Sequence, residues 1–380
     1  MPGIGQITAI AKEAARKVGF ELVGVAPTAD APELAYFPQW IKAGHAGEMN
    51  YLQTRDEHGH LKRASLRRAA PWARSVVVCA INYNTAQPYS TEVTDKRRGW
   101  ISRYAWGRED YHEAVMRRLR SVEEALHTAA ASESSDSSEP TVNGKVLRGK
   151  DSPTHSVKRD DALQTRCYVD TGPIVERVFA KYAGVGWIGK NTCIINQKIG
   201  SWLFLGVILT SLELEPDLPA PDRCGSCTRC IDACPTDALI APYQLDSNKC
   251  ISYLTIEKRG PIPESLQSRM GHHVFGCDIC QDVCPWNRKA PATNAAEFQP
   301  RTELVNPALE WLAEMHEEEF RRAFRGSAVR RAKRAGLRRN AVIAMGNSEN
   351  PEFVPLLERL ASDPDGIVAE SAVLAITKLR

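Results

Sequence analysis

The sequence predicts an α+β chain of two or three domains, and three observations carry that prediction. Strand-like and helix-like stretches mix through residues 1–215. Cysteines then crowd into residues 216–300. The last stretch, 301–380, reads as helices alone.

In chain order, "MPGIGQITAIAKEAARKVGF" has the spacing of an amphipathic helix and lacks the apolar core of a signal peptide. "ARSVVVCAINY" (73–83) predicts a core strand, which gives Cys79 an ordinary buried role; Cys167 and Cys193 are read the same way. "DYHEAVMRRLRSVEEALHTA" (110–129) predicts a helix opened by Asp110 as N-cap. Residues 131–160 are polar and serine-rich, the composition of a disordered surface insertion. "CYVD" (167–170) predicts a short strand, followed by a helix over 173–184. "GVGWIGKNTCIIN" and "SWLFLGVILTSLEL" predict two further strands around a glycine-rich turn. Gly184, Gly186 and Gly189 match G-x-G-x-x-G. They follow a helix and precede a strand, the reverse of a dinucleotide site, so that reading is rejected.

The cysteines are the strongest signal. "CGSCTRCIDACP" supplies Cys224, Cys227, Cys230 and Cys234 before Pro235, the C-x2-C-x2-C-x3-C-P run of bacterial ferredoxins. "GHHVFGCDICQDVCPWN" (271–287) repeats its last three cysteines as Cys277, Cys280 and Cys284, but Val274 stands where the first would be. The last cysteine of each ferredoxin run ligates the other cluster. One 4Fe-4S cluster is therefore expected on Cys224, Cys227, Cys230 and Cys284. The second is expected on Cys234, Cys277, Cys280 and Cys250, the cysteine that lies between the runs. Zinc needs neither the third cysteine at the same interval nor two Cys-Pro dipeptides. The displaced ligand makes 251–276 a long excursion between two ligands of one cluster, room for an inserted binding element.

Beyond the clusters, "LRRNAVIAMG", "NPEFVPLLERLA" and "DPDGIVAESAVLAITKL" predict helices in a HEAT-like arrangement, with Val368, Ala372, Ala375 and Leu379 on one apolar stripe. The run 321–339 has nine Lys/Arg and no Asp/Glu. Such a face suits nucleic acid, and it lacks the large apolar residues that a membrane surface would need.

The totals set limits. Hydrophobic residues make up 43% and charged residues 25%, and the net charge is +3, so overall charge selects no partner. The longest apolar run, "WLFLGVIL" (202–209), is far short of a membrane span. Eleven cysteines in a chain read as cytoplasmic point to metal rather than to disulfides.

Taken together, "EMNYL", "RYAWG" with "DYH", "VDTGPIVER", "GVGWIGKNT", the displaced-cysteine segment, "CISYLTIEKRGPIP" and the helical tail resemble the epoxyqueuosine reductases, over nearly the whole chain. The ferredoxin part alone is shared with reductive dehalogenases, which need no basic tail. A helical adaptor with clusters used only for electron transfer would hold no corrin. The resemblance implies an N-terminal cobalamin-binding α/β reductase-like domain and two 4Fe-4S clusters. It also implies reduction of the epoxide of epoxyqueuosine, at the tRNA wobble position, to the alkene of queuosine. That reaction takes two electrons and two protons. A reductant or electron-donor protein and a monomeric chain are expected.

The resemblance also implies site residues. Asp170 is the expected proton donor, with plain helix capping as the alternative, and desolvation against the corrin is expected to raise its carboxyl toward neutral pH. Asp-Thr-Gly imitates an aspartic protease, but the second carboxylate of such a dyad is missing. Arg63, Arg103, Tyr104, Lys190, Asn191 and Thr192 are candidates for holding cobalamin, followed by Tyr243, Ser252 and Tyr253. Asp56 to Leu61 begins like the cobalt-ligating D-x-H-x-x-G, but Leu61 replaces the glycine; His58 and His60 are read as surface residues and the cobalt as held without histidine. Lys258 and Arg259 are expected near the anticodon, and Arg330, Arg331 and Arg334 along the RNA.

Overall fold

The structure is a computed structural model and describes residues 3–134 and 163–380. Its centre is a four-stranded antiparallel sheet in the order Leu22–Pro27, Ser75–Asn82, Leu203–Thr210, Thr165–Tyr168. The predicted strand 73–83 is thus found as Ser75–Asn82, buried along its whole length. Side chains alternate across a strand, and both faces here are covered. Val77, Cys79 and Ile81 pack with helices Ile4–Lys17 and Tyr111–Ser134, while Val76, Val78 and Ala80 face Leu34, Leu66, Val178 and Phe179. Two covered faces explain a strand without polar alternation. Gly206 lets the long helix approach, because a Cβ there would lie 2.9 Å from Leu119 and Val115.

Asp110 stands at the start of that helix as expected: its side chain accepts from the His112 backbone N–H at 3.1 Å. The helix continues to Ser134, so the first residues of the expected insertion are helical. The rest of the insertion, 135–160, lies outside the described residues. The helix expected from Pro173 begins only at Glu176, because residues 169–175 form a turn. Trp187–Ile188 and Ile194–Ile195 make a small hairpin apart from the sheet.

In the cysteine-rich segment, each run carries a short helix, Arg229–Asp232 around Cys230 and Ile279–Asp282 around Cys280. Val274, at the position of the missing cysteine, is fully buried in strand His273–Phe275, which pairs in parallel with Trp100–Ile101. The position has become a seam to the first 130 residues. The Asp278 carboxylate fastens the same seam, accepting from Trp100 Nε1 at 3.0 Å, from the Arg103 backbone N–H at 2.7 Å, and from Ser102 Oγ.

The tail is helical: Leu309–Glu314, Glu317–Ala323, Lys333–Asn347, Val354–Leu360 and Gly366–Leu379. Val368, Ala372 and Ala375 are buried as the stripe predicts, with Leu379 half-buried beside them. One continuous core runs from Trp100, Ile101 and Trp106 through Val274 and Phe275 to Ala375. The tail is therefore packed onto the seam rather than held by a linker. Among the described residues, no helix is long and apolar enough to cross a membrane.

Candidate active site

Two cavities meet at one wall. The first, about 650 Å³, is apolar and aromatic on one side, with Phe37, Trp40, Leu52, Ile174 and Leu203, and carries Arg63, Thr192 and Tyr243 among its polar groups. The second, about 840 Å³, has a basic side, with Arg321, Arg330, Arg331, Lys333 and Arg334, and carries Asp110, Glu257 and Glu317 as well. Tyr51, Tyr104, Tyr111 and Asp170 line both.

Asp170 has φ 56°, a left-handed conformation, and the Thr171 N–H reaches over it to the Val169 carbonyl at 2.7 Å. A non-glycine residue held in such a tight turn is strained, and strain of this kind gathers at functional sites. The helix behind it takes Val175 as N-cap, so capping does not account for Asp170. Its half-exposed carboxylate accepts from the Tyr111 hydroxyl at 2.5 Å and lies 3.8 Å from His112 Nε2. Burial, and then the charge of Asp170, push the Tyr111 phenol well above its ordinary pKa, so it stays a proton-bearing donor. The other nitrogen of His112 is 2.9 Å from Asp110 Oδ1. Burial works against the Asp110 charge, but the hydrogen bonds from His112 prevail and hold its pKa below the ordinary value. Glu176 lies on the apolar side with Oε1 out of water and unpartnered. Burial, helped by the charge of Asp170, raises its pKa to about 7.

Sequence reading missed Tyr111, His112 and Glu176. "DYH" was visible as a helix start, but which of its faces meets Asp170 depends on how that helix crosses the sheet. Among the expected cofactor contacts, Arg63, Tyr104, Thr192 and Tyr243 do line the apolar cavity. Arg63 also donates to the carbonyls of Tyr51 at 2.9 Å and Gly172 at 2.7 Å, which fixes the rim.

Five of the expected contacts have their polar groups engaged within the fold. Arg103 is fully buried, stacked over Trp106 and Trp202, and its guanidinium is spent on the carbonyls of Thr85, Gln87 and Pro88. Lys190 donates to the carbonyls of Gly225 at 2.6 Å and Cys227 at 3.1 Å, and Asn191 to that of Cys280 at 3.2 Å; both hold cysteine loops. The Ser252 hydroxyl bonds to the Cys250 sulfur. Tyr253 is buried with its hydroxyl accepting from the Glu48 N–H at 2.8 Å. Two of the expected RNA contacts are also engaged internally: Lys258 pairs with Glu48, and Arg259 donates to the carbonyls of Ile256 and Ala332. Arg331 pairs with Glu257 at 2.5 Å and lies over the Tyr51 ring, and Arg334 pairs with Glu317 at 3.3 Å. Arg330 is exposed on the basic wall. His58 and His60 are exposed, as expected of a surface turn.

The cysteines gather in two sets. Cys224, Cys227, Cys230 and Cys284 line one cavity of about 260 Å³. Burial pushes the Cys230 and Cys284 thiols up to about 11, and neighbouring cysteines of the set add to it. In the other set, Cys277 is raised by burial and then by Cys250 and Cys234, and Cys280 by its hydrogen bond to Cys193, by burial, and by Cys277 and Cys250. Thiols buried this way become thiolates when a cation balances them, so the donor sets fit iron–sulfur clusters. Cys193, read as an ordinary core cysteine, is found on the cavity wall against Cys280.

Comparison with known proteins fits this geometry. Residues 63–171 match the family described as epoxyqueuosine reductase QueG, DUF1730, and residues 223–287 match a 4Fe-4S double cluster binding domain. The epoxyqueuosine reductase of Synechocystis sp. is 41% identical over 84% of this chain and 98% of its own length; that of Pseudomonas aeruginosa is 35% identical over 97% and 93%. The chain belongs to the epoxyqueuosine reductase family. It is accordingly an oxidoreductase with a double-cluster domain. A crystal structure of epoxyqueuosine reductase with an epoxyqueuosine-modified tRNA-Tyr stem loop superposes with a TM-score of 0.81, at 28% identity, covering 99% of this chain and 91% of that one. The epoxyqueuosine reductase of Streptococcus thermophilus superposes with a TM-score of 0.77 at 25% identity, covering 97% and 89%.

Proposed function

We propose that this chain reduces epoxyqueuosine to queuosine in tRNA anticodons, with cobalamin in the apolar cavity and RNA on the basic wall. The observation that carries the reading is Asp170 on the wall shared by the two cavities. A base entering from the basic side and a corrin lying in the apolar side would meet at its carboxyl. The apolar cavity suits a corrin because it offers aromatic and aliphatic walls, a few polar groups for amides, and no histidine among the described residues that line it.

Bound there, cobalamin would supply the reducing chemistry that opens the carbon–oxygen bond, with electrons from clusters on the two cysteine sets. The chain's own residues do the rest. Asp170 gives a proton to the epoxide oxygen, and Tyr111 fixes the carboxyl through its hydroxyl. His112, steadied by Asp110, stands where it can return a proton to Asp170. The occupants of the two cavities exclude water around a carboxyl that is half exposed without them. Arg63, Tyr104, Thr192 and Tyr243 orient the corrin, while Arg330, Arg331 and Arg334 grip phosphates, Arg331 and Arg334 by exchanging Glu257 and Glu317 for RNA. Residues 1–215, 216–300 and 301–380 are read as catalytic, cluster and HEAT-like RNA-binding parts of a cytoplasmic monomer. The deciding experiment is anaerobic incubation with epoxyqueuosine-containing tRNA and a reductant, followed by nucleoside mass analysis; unchanged epoxyqueuosine overturns the reading.

A further inference from the structure

The two cysteine sets lie in different surroundings. Cys250 and Cys277 pack against Ile251, Leu254, Ile262 and Met270, and Cys280 meets Cys193 on the wall of the apolar cavity. The first set opens outward. Its cavity is bordered by Arg223 and Arg229, and its loop exposes Gly225, Ser226 and Thr228. Exposed Arg288 and Lys289 follow Cys284 closely in the chain. Among the described residues, none of these four cations has an ion pair or a side-chain hydrogen bond. Lys190 adds a fifth charge beneath the loop, donating to the Gly225 and Cys227 carbonyls. Two carboxylates are near and both are engaged: Asp222 accepts from the Tyr243 hydroxyl and the Cys224 N–H, and Asp232 from the Thr228 hydroxyl. Leu218, 86% exposed, lies just upstream of the loop.

We propose that this surface docks an acidic one-electron carrier protein, and that electrons enter the chain at the set of Cys224, Cys227, Cys230 and Cys284. The proposal rests on the reading above that this set holds a cluster. Unpaired cations around a redox centre attract a partner of opposite charge, speed the encounter and leave it weak and salt-sensitive, as a short-lived electron transfer requires. Each encounter oxidises the carrier by one electron and reduces the chain by one. Two encounters supply the two electrons that, with two protons, turn one epoxide into an alkene and water.

The test uses the full chain with its clusters, and an acidic flavodoxin held as its hydroquinone. Stopped-flow absorbance follows cluster bleaching without RNA, so the result stands apart from whether epoxyqueuosine is reduced. Two variants are compared with the parent, Arg288→Glu/Lys289→Glu and Arg223→Glu/Arg229→Glu, both checked for iron content. The second-order rate is expected to fall at least ~10-fold at low salt and to converge with the parent near 1 M salt, where the Debye length is about 3 Å. Bleaching by the methyl viologen radical cation is expected to hold or rise. Equal flavodoxin rates in parent and variants overturn the proposal. So does a matching loss of tRNA affinity with flavodoxin rates intact, which would assign the patch to RNA.

Discussion

The Tyr111 hydroxyl meets Asp170 Oδ2 at 2.5 Å, across a wall that belongs to both cavities. It joins the start of a long helix to a strained turn at the end of the strand Thr165–Tyr168. A donor fixed in this way keeps the carboxyl aimed at the place where the two cavities meet.

Asp170→Asn keeps the shape and removes the acid. Turnover on epoxyqueuosine-tRNA is expected to fall at least ~100-fold, in the range of a lost general acid, with iron and bound corrin retained. Near-normal turnover by nucleoside analysis would leave Asp170 a turn residue.

Cys250→Ala removes a sulfur outside both ferredoxin runs. Iron is expected to drop from about eight atoms to about four, because the set of Cys234, Cys277 and Cys280 then holds only three thiolates. Full iron with an unchanged spectrum would break that assignment.

The basic wall should bind through counterion release. Changing Arg330, Arg331 and Arg334 together to Ala is expected to weaken tRNA binding and flatten its salt dependence. The comparison is a titration of binding at several salt concentrations; equal affinities and slopes would mark a solvated face.

Arg339 shows the opposite use of the same residue type. It is fully buried and donates to Asn340 Oδ1 and to the carbonyls of Leu254, Lys258 and Gly260. Arg339→Ala strands those acceptors, so unfolding measurements should show a loss on the order of 3 kcal/mol. An unchanged Tm would contradict this.

Glu176 makes the stability of the fold depend on pH. Its pKa is about 7 in the folded chain against an ordinary 4.5, so its contribution to stability is complete below pH 4.5 and is lost as pH rises through 7. Glu176→Gln does not titrate and should therefore gain on the parent across that window, reaching at most about 3 kcal/mol above it. Thermal unfolding at pH 5 and pH 8 reads the difference, and a constant gap between the two proteins would show that the side chain is not held out of water.

By itself the sequence determined what is local. The cysteine spacing marked the double-cluster segment, the apolar run marked the central strand, and the stripe from Val368 marked the last helix. Each is a matter of period or interval along one segment. What the tertiary structure decided is how residues far apart in sequence meet. The run at 321–339 reads as one basic face, yet Arg330 stands at the cavity while Arg338 pairs with Asp363 at 2.5 Å inside the fold. Arg103 and Lys190 carry the charge of a cofactor contact, yet both donate to backbone carbonyls; for Arg103 one of these is a buried acceptor that must be satisfied by some donor. Tyr111 and Asp170 are separated by the whole serine-rich stretch, and only the pairing of Thr165–Tyr168 with Leu203–Thr210, beneath the helix from Tyr111, brings them together. Charge and spacing are properties of a segment, whereas the place where a charge ends up depends on the packing of several segments at once.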